Sequence, residues 1–295
     1  MTEFFDRTAK VVINTIQLTG HRIAFDIEKS LKPEPNTCTL HVYNLSESQR
    51  SSLEEMRPKV SGLTKLEVTK GGKPLKATTG IPCSIEAGYQ DDNAQIWLGD
   101  MRDVYSVRDG ADWITVLESG DAEKAYTNGR LHVAYGPRTS PDTALRAMVR
   151  AMGVSEGNVA QVAAKLLLKG KMLTRGLVLS GPVSQHITNF CRSADLEWSI
   201  QDGAIQILDR GKALLARPIL VSANTGMVGS PTVDNDGILT VKMFINPDFR
   251  VGGLLLMKAA RIKGLYRTLA AKWSGDTFDG DWYITAQAKR YSDAA

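Results

Sequence analysis

The sequence predicts a mainly β protein carrying an α+β insertion: two β-barrel domains flank a small helix/β-hairpin domain. Three observations lead there. Residues 10–119 carry many short alternating apolar runs separated by Gly, Asn, Asp and Pro turn signals. From about Tyr126 the apolar period changes to three and four, the spacing of an amphipathic helix. From 213 onward the period-two character returns. The expected boundaries are therefore 1–125 for the first β domain, 126–212 for the α+β domain and 213–295 for the second β domain.

In the first part, Lys10–Leu18 is read as one loosely alternating strand and Arg22–Ile27 as the next, after Gly20. Thr37–Val42 places Cys38, Leu40 and Val42 on one face. Ser46 can cap a short helix edged by Leu53 and Met56, which Pro58 ends. Leu63–Thr69 alternates, and Gly71-Gly72 supplies a hairpin turn. Cys83–Tyr89, Ile96–Val107 and Trp113–Leu117 complete the strands of this part.

In the middle, Ser140-Pro141 is a helix start, a capping residue followed by proline at the first helical position. Leu145, Met148, Val149 and Met152 form its stripe and Gly153 closes it. A second helix runs from about Ser184 with Ile187, Phe190, Cys191 and Ala194 on one side. It leads into a hairpin, Glu197–Ile200 and Ile205–Leu208, around the turn Asp202-Gly203.

In the last part, Gly226 to Gly253 has the layout of a β-hairpin: a Gly/Pro entry, the turn Asp236-Gly237, a strand Ile238–Ile245, the break Asn246-Pro247 and a Gly-Gly corner. Leu254–Lys258, Leu265–Trp273 and Trp282–Ala288 follow as strands. The two β-rich parts show no alignable internal repeat.

Composition narrows the function classes. The chain has 295 residues, 43% hydrophobic and 23% charged, which is ordinary for a soluble globular protein with room for two or three domains. A net charge of +4 is too small for nucleic-acid binding to be the main activity, which calls for clustered Lys and Arg. No apolar run reaches the roughly 20 residues of a membrane span, and the opening residues do not read as a signal peptide. Cys38, Cys83 and Cys191 are scattered in apolar segments and read as reduced buried thiols.

No catalytic, cofactor-binding or metal-binding residue emerges. Asp91-Asp92 and the group Asp276, Asp279 and Asp281 are the notable acidic clusters, but the latter lacks a full calcium-loop pattern and reads as a turn. His21, His41, His132 and His186 lie in separate segments with no metal spacing. Gly71-Gly72-Lys73 has the wrong spacing for a phosphate loop. Lys165, Lys169, Lys171 and Arg175 form a basic stretch that reads as a solvated face or a partner contact. Arg250, Lys258, Arg261, Lys263 and Arg267 are open to the same two readings, with an interface or channel as the functional one. Trp97, Trp113, Trp198, Trp273 and Trp282 fall in strand patterns and read as core or interface anchors.

Three segments carry a resemblance. Pro35–Ser46 is a strand ending in Asn-Leu-Ser ahead of a short helix. Gly176–Leu208 leads a helix into Glu-Trp-Ser-Ile and an Asp-Gly hairpin. The third is Gly226–Gly253 with the later Gly280-Asp281-Trp282-Tyr283. In this order they are similar to the baseplate central hub proteins of contractile phage tails and related injection systems. The resemblance implies a structural protein of the virion baseplate, assembled in the host cytoplasm, with no turnover, cofactor or membrane insertion. It implies a homotrimer whose two tail-tube-like barrels per subunit make a pseudo-sixfold ring. That ring joins the hexameric tail tube to the trimeric central spike, meets wedge and tape-measure proteins, and passes DNA without specific binding. Two other readings remain open: a tail-associated cell-wall hydrolase, and a receptor- or carbohydrate-binding tail module.

Overall fold

The structure is a computed structural model describing residues 6–57, 80–90, 92–168, 176–214 and 216–292. The strand expected at Leu63–Thr69, the turn at Gly71-Gly72, the stop at Pro58, and Asp91, Lys169, Lys171 and Arg175 lie outside the described residues.

The first β-rich part comprises β1 (Arg7–Ile13), β2 (Ile16–Leu18), β3 (Ile23–Ser30), β4 (Thr37–Tyr43), α1 (Glu47–Glu55), β5 (Pro82–Tyr89), β6 (Asp92–Asp109) and β7 (Asp112–Gly120). Lys10–Leu18, read from the sequence as one strand, is a hairpin. Asn14 adopts φ 52°, a left-handed conformation that Asn tolerates, and reverses the chain between β1 and β2. Ser46 caps α1, as expected, and does so in a full capping box with Gln49.

The middle part comprises α2 (Glu123–Asn128), β8 (Arg130–Tyr135), α3 (Pro141–Met152), α4 (Val159–Leu168), β9 (Leu177–Pro182), α5 (Val183–Ser193), β10 (Leu196–Gln201) and β11 (Ala204–Asp209). Ser140 Oγ accepts the Asp142 N–H at the start of α3, and Gly153 ends it at φ 80°. The last part comprises β12 (Ile219–Ser222), β13 (Met227–Val233), β14 (Ile238–Phe244), β15 (Leu254–Lys258), β16 (Lys263–Asp276) and β17 (Trp282–Arg290).

The chain is mainly β, and strands from both β-rich parts join one 13-stranded sheet. Its path is β13-β14-β17-β16-β3-β4-β7-β6-β5-β1-β2, with β15 beside β16 and β12 parallel to β15. The two parts meet where β16 pairs antiparallel with β3 over Ala270–Asp276 and Ala24–Ser30. Among the described strands the path stays open and no closed barrel forms.

Alternation makes the sheet two-faced. Ile23, Phe25 and Ile27 of β3, Cys38, Leu40 and Val42 of β4, and Trp282, Ile284, Ala286 and Ala288 of β17 point into one core shared by both β-rich parts. A second core holds α3, α5 and the β10–β11 hairpin together through Leu145, Met148, Val149, Ile187, Trp198 and Ile207.

Candidate functional site

The opposite face of the central strands is polar. β3 presents Asp26 and Glu28, β4 presents Thr37, Thr39 and His41, and β16 presents Lys272 and Ser274 in register with Glu28 and Asp26. An open groove of about 530 Å³ follows this face at the β3–β16 junction. A second groove of about 390 Å³ continues it past Glu28 and Lys272 toward Glu34.

Ion pairs hold the groove in shape. Lys272 Nζ reaches Asp26 at 3.2 Å and Glu28 at 3.6 Å, and its hydrogen bond to Asp26 raises its pKa. Ser274 Oγ donates to Asp26 at 2.7 Å. At the far end, Arg22 clamps Asp276 through Nε and Nη2 at 2.7 to 3.2 Å. The guanidinium also stacks on Tyr43 at 4.4 Å and Phe278 at 5.6 Å. Burial pushes the Asp276 carboxyl up, but Arg22 and the N–H groups of Phe278 and Asp279 outweigh it, so the net shift is downward. Arg7 donates to the carbonyls of Asp276 and Gly280, and Asp279 accepts the Gly280 N–H. Asp276, Asp279 and Asp281 are thus the built turn between β16 and β17, with Asp281 facing Lys242 at 3.7 Å. Phe278 stands at its tip, 79% exposed.

A second polar cluster fastens the middle part to the sheet. The inward alternation of β3 continues to Lys29, which is buried between Trp97 and Trp273 and pairs with Asp202 Oδ1 at 2.6 Å. Asp202-Gly203 is the tip of the β10–β11 hairpin, and both its N–H groups donate to the buried carboxylate of Asp121 at 2.8 Å. Asn36 Nδ2 donates to the Ile200 carbonyl at 2.8 Å and to Asp121 at 3.3 Å. Desolvation pushes the Asp121 pKa up to about 6. Arg267 pairs with Glu197 of β10 from the other side of the hairpin.

The remaining sequence candidates disperse. His41 lines the groove, His132 sits beside Ser180 across β8–β9, and His21 and His186 lie elsewhere. Asp92 stands exposed at the start of β6. Lys165 pairs with Asp209, and Arg250 donates to the carbonyls of Pro247 and Phe249. Of the basic residues in the last part, Arg250 and Arg267 therefore serve internal contacts. Trp97, Trp198, Trp273 and Trp282 are core, whereas Trp113 is half-exposed under Arg50 at 4.3 Å. Cys38, Cys83 and Cys191 are free and buried. Among the described residues no cluster of three or more His, Cys, Asp or Glu is placed to hold a metal ion. No described helix is long and apolar enough to cross a membrane. Sequence reasoning missed Arg22, Lys29 and Asp121. The signal for Lys29 was present in the Ile23, Phe25, Ile27 alternation that it continues.

Comparison with known proteins places this architecture among phage tail proteins. The fold matches the 43 kDa tail protein of prophage MuSo2 from Shewanella oneidensis (TM-score 0.62, 8% identity, covering 96% of this chain and 97% of that one). It matches a tail protein from Neisseria meningitidis MC58 (TM-score 0.61, 10% identity, 97% of both chains). It also matches an E. coli type VI secretion system component that is itself structurally similar to the T4 tail proteins gp27 and gp5 (TM-score 0.55, 8% identity, 96% of this chain and 77% of that one). At these identities the likeness is one of fold. No curated protein matches the sequence significantly. A family model described as baseplate hub gp41 matches residues 11–262, most of the chain, and the chain therefore belongs to the baseplate hub gp41 family of structural phage tail proteins.

Proposed function

We propose that three copies of the chain close into a ring that joins the tail tube to the central spike in the virion baseplate, and that the polar sheet face lines its conduit. The observation that carries this reading is the unbroken antiparallel sheet across the β3–β16 junction, with one apolar and one polar face. In this reading residues 1–125 and 213–295 act as two tube-like barrel domains whose open edges are completed by assembly, around a separate unit at 126–212. A ring of three such pairs presents six similar faces to a hexameric tube and three to a trimeric spike.

The groove chemistry supports a conduit rather than an enzyme. Its lining has six acidic side chains (Asp26, Glu28, Glu34, Asp276, Asp279 and Asp281) against the basic Arg22 and Lys272, while Lys29 at its edge turns its charge inward to Asp202. A wall of that balance gives DNA phosphates no counter-charge to adhere to. Asp26 and Glu28 are taken up by Lys272, Asp276 by Arg22, Asp279 by a turn N–H and Asp281 by Lys242, an arrangement of structural ion pairs rather than of a paired acid and base. The hub acts by geometry, with no turnover, after assembly in the host cytoplasm beside wedge and tape-measure proteins.

Co-sedimentation of the purified chain with its phage's tail tube and spike proteins tests the reading. A stoichiometric complex holding both neighbours supports it. A chain that binds neither, or that clears peptidoglycan on its own, overturns it.

A further inference from the structure

The two β-rich parts contain the same construction twice, although their sequences do not align. In the last part, β16 first pairs with the preceding strand β15 over Lys263–Arg267, shifts register between Thr268 and Ala270, then pairs with β3 over the seven residues Ala270–Asp276. In the first part, β6 first pairs with the preceding strand β5 over Asp92–Asp100 and shifts register between Met101 and Asp103. It then runs on through Asp103–Asp109, also seven residues, with β7 on one side. Among the described strands nothing pairs with its other side.

Among the described strands, the edge of β13 is built to fill that position. β13, at the far end of the sheet, is seven residues long and hairpinned to β14, as β3 is to β4. Every neighbouring pair from β13 through β14, β17, β16, β3, β4 and β7 to β6 is antiparallel. Across those eight strands β13 and β6 therefore run in opposite directions. A β13 brought beside β6 from another copy continues the alternation without a break, and a single copy's two edges become the two unlike patches that a head-to-tail ring requires.

Exposed apolar side chains stand at both edges, on opposite faces of the sheet: Val233 shares the core face with its partner Leu239, whereas Tyr105 and Val107 lie on the polar face with Val116 and His41. Tyr105 and Val107 of β6 are 39% and 43% exposed, and Val233 of β13 is 47% exposed. The Val104 N–H donates to its neighbour Asp103 rather than to β7, so by alternation the N–H groups of Ser106 and Arg108 face the open edge. On β13 the Asp234 N–H donates to Ile238, so Pro231 turns its missing donor outward. That proline, with the register shift between Val228 and Thr232, blunts the edge against indiscriminate pairing. On the face shared with Tyr105 and Val107, β13 offers Val228 and Thr232.

The geometry points to a specific seam: β13 of one copy docks antiparallel on the Asp103–Asp109 half of β6 in the next, repeating between chains the β3–β16 junction within the chain. This inference rests on the ring reading above and names the surfaces that close it.

Cysteine pairs joining Tyr105 or Val107 to Val228 or Thr232 test it, because the three native cysteines are buried. Oxidation of at least one double variant, such as Val107→Cys/Val228→Cys, is expected to give covalent dimers and trimers on a non-reducing gel. The control Val107→Cys/Val178→Cys is expected to give neither. As an independent readout, Val107→Asp on this exposed position weakens self-association at least tenfold with an unchanged circular dichroism spectrum. A chain that is trimeric by mass yet cross-links through none of the four pairs, or that trimerises normally with Val107→Asp, overturns the seam and leaves the ring standing. A chain that stays monomeric at every concentration overturns both.

Discussion

Asp121 gives the fold a pH dependence whose sign is set by its surroundings. Its carboxylate is buried at the junction between the sheet and the β10–β11 hairpin, where it accepts from the N–H groups of Asp202 and Gly203 and from Asn36. Desolvation raises its pKa from 3.8 to about 6. The folded chain therefore takes up a proton near pH 6, while the unfolded chain waits until near pH 4. A raised carboxyl contributes stability that is fully present below the unfolded value and is lost as pH rises through the folded one. The difference of about two pKa units corresponds to about 3 kcal/mol, lost between about pH 4 and pH 6. Asp121→Asn removes this titration. It keeps one acceptor oxygen and sets an amide against a donor, which costs about 1–3 kcal/mol at every pH. Urea unfolding of both proteins from pH 4 to 8 reads the two effects separately. Wild type is more stable than the variant at pH 4, and the gap moves in the variant's favour by about 3 kcal/mol by pH 7. Parallel stability curves across that range would refute the assignment of the buried charge to Asp121.

Three further outcomes follow from the same geometry. Arg22→Ala frees the β16–β17 turn from its clamp, so hydrogen exchange at Phe278 and Asp279 accelerates in mass spectrometry while exchange in β4 and β7 does not change. Gly275→Ala drives a methyl into the ring of Phe25, which is itself packed edge-on against Trp282, and lowers stability by about 1–3 kcal/mol in urea. Burial raises the Cys83 and Cys191 thiols to about 12 and also pushes Cys38 well up, so a thiol reagent at pH 8 labels none of them in the native chain and all three once it is unfolded.

The strands legible in the sequence are those with one buried and one polar face. Thr37–Tyr43 and Ile238–Phe244 alternate cleanly, and both were placed within a residue or two. The helix at Pro141–Met152 was equally plain, because Ser140, Pro141 and Gly153 mark its ends. β1 and β2 merged in the reading because Asn14 reverses the chain without a glycine or proline to announce it. α4 and β9 were passed over: α4 is broadly apolar without a narrow stripe, and β9 is short. Of the candidate site, the Asp276–Asp281 turn was recognised, but its partner Arg22 is 254 residues away and no local pattern links them. Asp121 and Lys29 carry no local signal of their role, and only the docked hairpin explains their burial. The repeated strand construction left no alignable trace, because a bulge and a change of partner depend on backbone path more than on residue identity.

Sedimentation equilibrium of the purified chain over a concentration series is the most direct test of the ring. The account predicts reversible association to a species of three times 32.2 kDa, with nothing larger. A strict monomer at the highest concentrations, or a closed dimer or tetramer in place of the trimer, would contradict it.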